Sequence, residues 1–190
     1  FDPIIFTVLC IGIVLWVIGL HPFAVFFPII ALLIIYYMIR FKMRAVIKQQ
    51  ALKAIQQEHH PVKVFVAPTI KFMEWRVAIQ TDAHDYVGKA YGRNVVFSDK
   101  VERQTLSTDS ILWKVKGNKD IRTFLNFSSI YRWQTTTLAD GSTEIRLIDL
   151  RYLKNDHYSF VAIAHVTNDN VIDHSYIGLS LIHISERAGK

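Results

Sequence analysis

Asp82, His84 and Asp85 form a D-x-H-D cluster that brings together an imidazole and two carboxylates, the donor types that hold a divalent ion. The same residues also suit a solvated turn between strands, which is the favoured reading. Asp149 and Arg151 alternate within LIDLRYL. A strand there puts both on one face, where they pair with charges on a neighbouring strand or line a polar pocket. His157, His165 and His174 are scattered among the strand-like segments without ligand spacing, so they read as core or surface histidines. The single cysteine, Cys10, lies in an apolar stretch and excludes both an internal disulfide and a cysteine-based zinc site. The chain has no Gly-rich phosphate loop, no nucleophile elbow and no H-E-x-x-H motif.

Two chemistries are joined in the elements that must position these groups. All 22 Lys and Arg residues lie at Arg40 or later, and before that point the only acid is Asp2. Ile4–Leu20 and Phe23–Ile39 are both uncharged and rich in Ile, Leu, Val and Phe. They are separated by His21-Pro22, and apolar residues surround each helix instead of forming one stripe, which suits lipid. Each stretch makes a helix of about 26 Å against a hydrocarbon core of about 30 Å. Two spans with no base before them do not fit a cleaved signal sequence. Trp16, Tyr36 and Tyr37 stand near segment ends, where amphipathic rings favour the interface. Gly12 and Gly19 offer close approach to a neighbouring helix without GxxxG spacing. Pro28 lies close to the first turn of the second helix or kinks it.

Arg40, Lys42, Arg44, Lys48 and Lys53 follow the second span and form a membrane-surface set. They place the carboxyl-terminal side in the cytoplasm and lie against anionic headgroups. The lipid bilayer explains these charges, so no nucleic-acid partner is expected. FKMRAVIKQQALKAIQQ, from Phe41, continues the helix outside the membrane.

Beyond Pro61 the pattern turns to short strands: 62–66, 75–81, 85–91, 94–98, 131–137, 143–152, 158–166 and 171–178. Gly92, Asp140-Gly141 and Asn168-Asp169-Asn170 mark hairpin turns. Thr108 or Asp109 caps a helix running through Lys116, and 120–126 forms another short helix. The expected fold is an α+β membrane protein: a two-helix transmembrane hairpin, then a mainly antiparallel β domain of six to eight strands with one or two short helices. The boundaries are 1–40 for the hairpin, 41–60 for a basic juxtamembrane helix or linker and 61–178 for a cytoplasmic β-rich domain. A chain opening on Phe1 inside an apolar segment is also expected to be part of a longer protein.

FDPIIF at Phe1, APTIKFMEWRVAI at Ala67, FLNFSSIYRW at Phe124 and IRLIDLRYLKNDHYSFVA at Ile145 together resemble the bacterial membrane-bound metal-dependent hydrolase family, in its branch with a carboxyl-terminal soluble extension. The resemblance runs from Phe1 to Gly178 and implies a multi-pass protein of the bacterial inner membrane. In that family D-x-D-H, H-x-x-x-T-H-S and H-x-x-x-D motifs on upstream membrane helices hold the metal, and none of them occurs in the apolar stretches of this chain. It therefore implies an inactive carboxyl-terminal part of a hydrolase, packed against upstream transmembrane helices of the same chain. The parent would use a divalent metal, with Asp2 facing that site if it is not simply a helix cap. Substrate and metal identity stay open. The rival expectation is a non-enzymatic, membrane-anchored β domain that binds lipid or protein at the cytoplasmic face. Leu179–Lys190 (LSLIHISERAGK) departs from the family and reads like a translated sequencing adapter, so it is expected to be non-native.

Overall fold

A computed structural model describes residues 2–55, 60–104, 115–154, 157–158, 160–167 and 171–179. Helix α1, Pro3–Val17, starts where Pro3 follows a capping Asp2, whose side chain accepts from the Ile4 and Ile5 amides. It stops because Gly19 adopts a φ of 99°, with the Gly19 and Leu20 amides returning to the Trp16 and Leu15 carbonyls. That is a Schellman cap, a conformation glycine takes without steric cost. Gly19 therefore ends a helix, whereas Gly12 does admit a close neighbour: it is buried, and a Cβ there would overlap Ile29 of the next helix.

Helix α2, Pro22–Ile55, runs unbroken for 34 residues, about 51 Å. Pro22 occupies the first turn, while Pro28 lies inside the helix without ending it. By length and composition α2 is long and apolar enough to cross a membrane. At 15 residues, about 22 Å, α1 falls short of that length. The expected pair of spanning helices is thus corrected to one helix of spanning length. The cause is local: the Gly19 cap cuts the first helix three residues before Leu20, where the apolar run ends.

The juxtamembrane helix also proves to be more than a linker. Met43, Ile47, Ala51 and Ile55 recur every fourth residue and make one stripe. Ile47, Ala51 and Ile55 are buried against Val66, Trp75, Val77, Ile79, Tyr86 and Ala90. These belong to an antiparallel meander of β1 (Pro61–Pro68), β2 (Glu74–Thr81), β3 (His84–Tyr91) and β4 (Asn94–Glu102), in the order β1-β2-β3-β4.

The remaining strands form a second sheet in place of the single sheet expected. Its members are β5 (Tyr131–Thr137), β6 (Thr143–Asp149), β9 (Phe160–Val166) and β10 (Ile172–Leu179), ordered β10-β9-β6-β5 and antiparallel throughout. A short pair, β7 (Leu153–Lys154) with β8 (His157–Tyr158), stands apart from both. Strand alternation explains the layering. On β2, Val77 and Ile79 face α2, while Ala78 joins Ile148 and Val161 of the second sheet in a shared inner core. On β6, Ile145 and Leu147 turn the other way, toward Ile121 and Phe124 of α3 (Lys119–Phe127). Four layers result, in the order α2, first sheet, second sheet, α3. Helix α3 opens at Asn118, whose side chain accepts from the Asp120 and Ile121 amides.

Of the helix expected from Thr108 or Asp109 through Lys116, residues 108–114 lie outside the described residues, as does the Asn168–Asn170 turn. Of the stretch expected to be non-native, Leu179 closes β10 and 180–190 lie outside the described residues.

Candidate functional site

Three groups of polar side chains stand out. The first joins the helices to the first sheet. Asp2 caps α1 and also accepts a 2.6 Å hydrogen bond from the Tyr36 hydroxyl of α2. Its Oδ2 lies 4.0 Å from Arg40 Nη2. Arg40 donates from Nη1 to the Phe72 carbonyl at 2.7 Å, and its guanidinium lies 4.5 Å from the Trp75 ring centroid. Arg40, grouped from the sequence with the membrane-surface bases, has only 8% of its surface exposed. Lys42, Arg44, Lys48 and Lys53 are exposed, as that reading requires. The burial of Arg40 has a simple cause: Trp75 and Phe72, more than thirty residues on in sequence, supply a ring face and a carbonyl that the guanidinium uses together. Asp2, expected to cap a helix or face a metal, spends its oxygens on the cap and on Tyr36.

The second group lies between the sheets. Asp149 and Arg151 pair with each other, not with a neighbouring strand: Arg151 Nη2 is 2.6 Å from Oδ2 and Nε is 3.0 Å from Oδ1. The expected strand through Tyr152 breaks here. Asp149 also accepts from the Arg151 amide and caps a 3-10 turn over Leu150–Tyr152. The hydrogen bonds it donates to Asp149 push the pKa of the Arg151 guanidinium above its ordinary value, against the opposing effect of burial. The guanidinium sits among the rings of Phe127, Phe65 and Tyr152 at 4.8, 5.2 and 5.3 Å. One ion pair therefore ties α3, β1 and the end of β6.

Asp85 is the buried member of the D-x-H-D cluster, and its Oδ1 has no hydrogen-bond partner. The cluster does not converge. Asp82 is exposed on the β2–β3 turn, while His84 and Asp85, adjacent on a strand, point to opposite faces. Burial raises the Asp85 carboxyl above its ordinary 3.8, and Gln80, Arg103 and Lys63 only partly oppose the rise. A folded-state value above the unfolded one means that ionisation costs stability. The cost is absent below 3.8, grows as pH rises above it and levels off once pH has passed the folded value. Asp85→Asn is therefore expected to raise the urea midpoint at neutral pH, with the gain vanishing below 3.8. Paired denaturation curves across that range check it.

The third group was not legible from spacing. Antiparallel register places His165 of β9 opposite His174 of β10, and their rings stack with centroids 4.1 Å apart. His165 Nε2 is 3.3 Å from Glu144 Oε2 on β6, and Glu144 Oε1 takes a 2.7 Å bond from Arg146. His157 opens β8. The only signal for the histidine pair was the hairpin between them, because equal distances from a turn become neighbours across an antiparallel pair. Among the described residues, no three or more His, Cys, Asp or Glu side chains gather to hold a metal.

Known proteins bear directly on the two sheets. Residues 58–101 match the YfhP middle domain, which corresponds to β1–β4, and residues 110–187 match the YfhP C-terminal alpha/beta plait domain, which contains α3 and the second sheet. The second match extends to residue 187, into the stretch expected to be non-native. The chain is 36% identical over 178 residues to "Uncharacterized protein YfhP" of Bacillus subtilis (strain 168), covering 94% of this chain and 54% of that protein. It thus spans about half the length of the curated relative it matches. No solved structure matches the chain. These matches overturn the resemblance to metal-dependent hydrolases: three of the four sequence blocks that carried it lie within the matched YfhP domains. Through both of its sheets, in that order, the chain is similar to YfhP domains.

Proposed function

We propose that this chain is a membrane-anchored, non-enzymatic binding module whose two-sheet body is held rigidly at the cytoplasmic face of the bilayer. The observation that carries this reading is that one helix serves two solvents. The apolar window of α2 is only 6% buried by the rest of the protein, and Phe26, Phe27, Leu32, Ile34 and Ile35 are all exposed. A core helix of a water-soluble protein would be covered there. Two turns beyond Arg40 the same helix becomes core, with Ile47 fully buried. A signal sequence does not fit such continuity, since removing it would cut the helix that roofs the first sheet.

In this reading α2 crosses the bilayer and α1 lies against it within the lipid, its exposed Phe6, Ile11, Val14 and Trp16 facing acyl chains. The close Gly12–Ile29 approach replaces a lipid contact by helix packing. Lys42, Arg44, Lys48 and Lys53 resist translocation and keep the β domain in the cytoplasm. The bilayer is the first partner, and lipid or protein at its surface is the ligand class.

Alkaline carbonate treatment of membranes containing the chain is the test. Retention in the pellet is expected, with protease reaching the β domain in inverted vesicles and not in intact spheroplasts. Release into the carbonate supernatant overturns the anchor, and protease access only from outside the cell overturns the orientation.

A further inference from the structure

The β1–β2 loop, Thr69–Met73, displays Ile70, Phe72 and Met73 with 73%, 37% and 52% of their surfaces exposed. Three exposed apolar side chains on a loop of a polar domain call for a partner. The loop is not loose. Thr69 Oγ1 donates to the Glu74 carbonyl at 3.0 Å, the Glu74 amide returns to the Lys71 carbonyl at 3.2 Å, and the Gly92 amide bonds the Met73 carbonyl at 3.0 Å. Its side chains are therefore presented in a fixed arrangement.

The position of the loop identifies the partner. The Phe72 ring lies 6.1 Å from the Tyr36 ring, and the Phe72 carbonyl is held by Arg40. Tyr36 and Arg40 are where the apolar run of α2 meets its first base. Aromatic and basic residues at that junction mark the membrane–water interface. The loop thus stands level with the headgroups, in ring contact with the helix that enters them. Its charge also fits: the one acid of the segment, Glu74, is bridged by Lys71 and Lys89 at 3.5 and 3.6 Å. Lys71 is itself 81% exposed beside the apolar tips.

Resting on the reading of α2 as a membrane span, we infer that Ile70, Phe72 and Met73 form a wedge inserted into the cytoplasmic lipid interface, giving the β domain a second attachment. A span alone leaves a domain free to tilt about one point. The Arg40 clamp and the wedge together fix which face of the β domain looks at lipid and which looks at the cytoplasm.

Site-directed spin labels test this in the full chain, reconstituted in vesicles of mixed zwitterionic and anionic phospholipid. With Cys10→Ala as background, labels go at Ile70→Cys and Met73→Cys, with Leu32→Cys reporting the span and Thr136→Cys on exposed β5 reporting water. Collision with dissolved oxygen against a water-soluble nickel chelate gives the depth of each. Labels at 70 and 73 are expected at a depth of roughly 5–10 Å below the headgroups, with 32 deeper and 136 in water. If 32 is in hydrocarbon while 70 and 73 match 136, the wedge is overturned and the anchor stands. If 32 is in water, the anchor fails and the wedge fails with it.

Discussion

Replacing Asp149 by alanine is expected to cost about 3–5 kcal/mol of folding stability, the range for leaving one partner of a buried ion pair unmatched. Asp149 is fully buried and Arg151 is 8% exposed, so water cannot take over from either. Loss of the carboxylate also uncaps the 3-10 turn and leaves a guanidinium among three rings with no counter-charge. Those rings come from α3, β1 and the turn itself, so the damage reaches both sheets. Urea denaturation of the detergent-solubilised chain measures it. The double variant Asp149→Leu/Arg151→Met removes both charges and is expected to recover much of the loss. If Asp149→Ala alone unfolds no more easily than the parent chain, the pair is not what joins the layers.

Ile47→Ala is the second large effect, expected to lose about 2–5 kcal/mol through lost burial and the cavity left behind. Its neighbour Lys48 is exposed, and Lys48→Ala is expected to stay within about 0.5 kcal/mol. The contrast separates two roles for the segment after Arg40. A tether lying on lipid would respond to the lysine and not to the isoleucine. A roof over the first sheet responds to the isoleucine. The same physics predicts that a fragment beginning at residue 61 lacks Ile47, Ala51 and Ile55 and leaves Trp75, Val77 and Ile79 uncovered.

Strand positions were legible because alternation is a local pattern. Tyr131–Thr137 was read to the residue, and Trp75–Thr81 missed only Glu74. The partition into two sheets was not legible. Nearly every residue of β2 is buried on one face or the other, so nothing in its own sequence says whether lipid, helix or another sheet covers each side. Arg151 was read as part of a strand because LIDLRYL alternates, yet the Asp149 carboxylate caps its own backbone two residues on and turns the chain. The burial of Arg40 was not legible for a similar reason. A base after an apolar run reads as solvated until a distant Trp75 and Phe72 carbonyl are brought to it.

By itself the sequence determined where apolar chemistry ends and mixed chemistry begins, the positions of strands such as Tyr131–Thr137 and the antiparallel hairpins. All of these depend on neighbours within a few positions along the chain. Only the tertiary structure decided that one helix belongs to both halves, that the strands divide into two layers, that Asp149 and Arg151 close on each other and that the β1–β2 loop lies beside Tyr36. Those facts rest on contacts between residues far apart in sequence, and chain order carries no record of which distant surfaces meet.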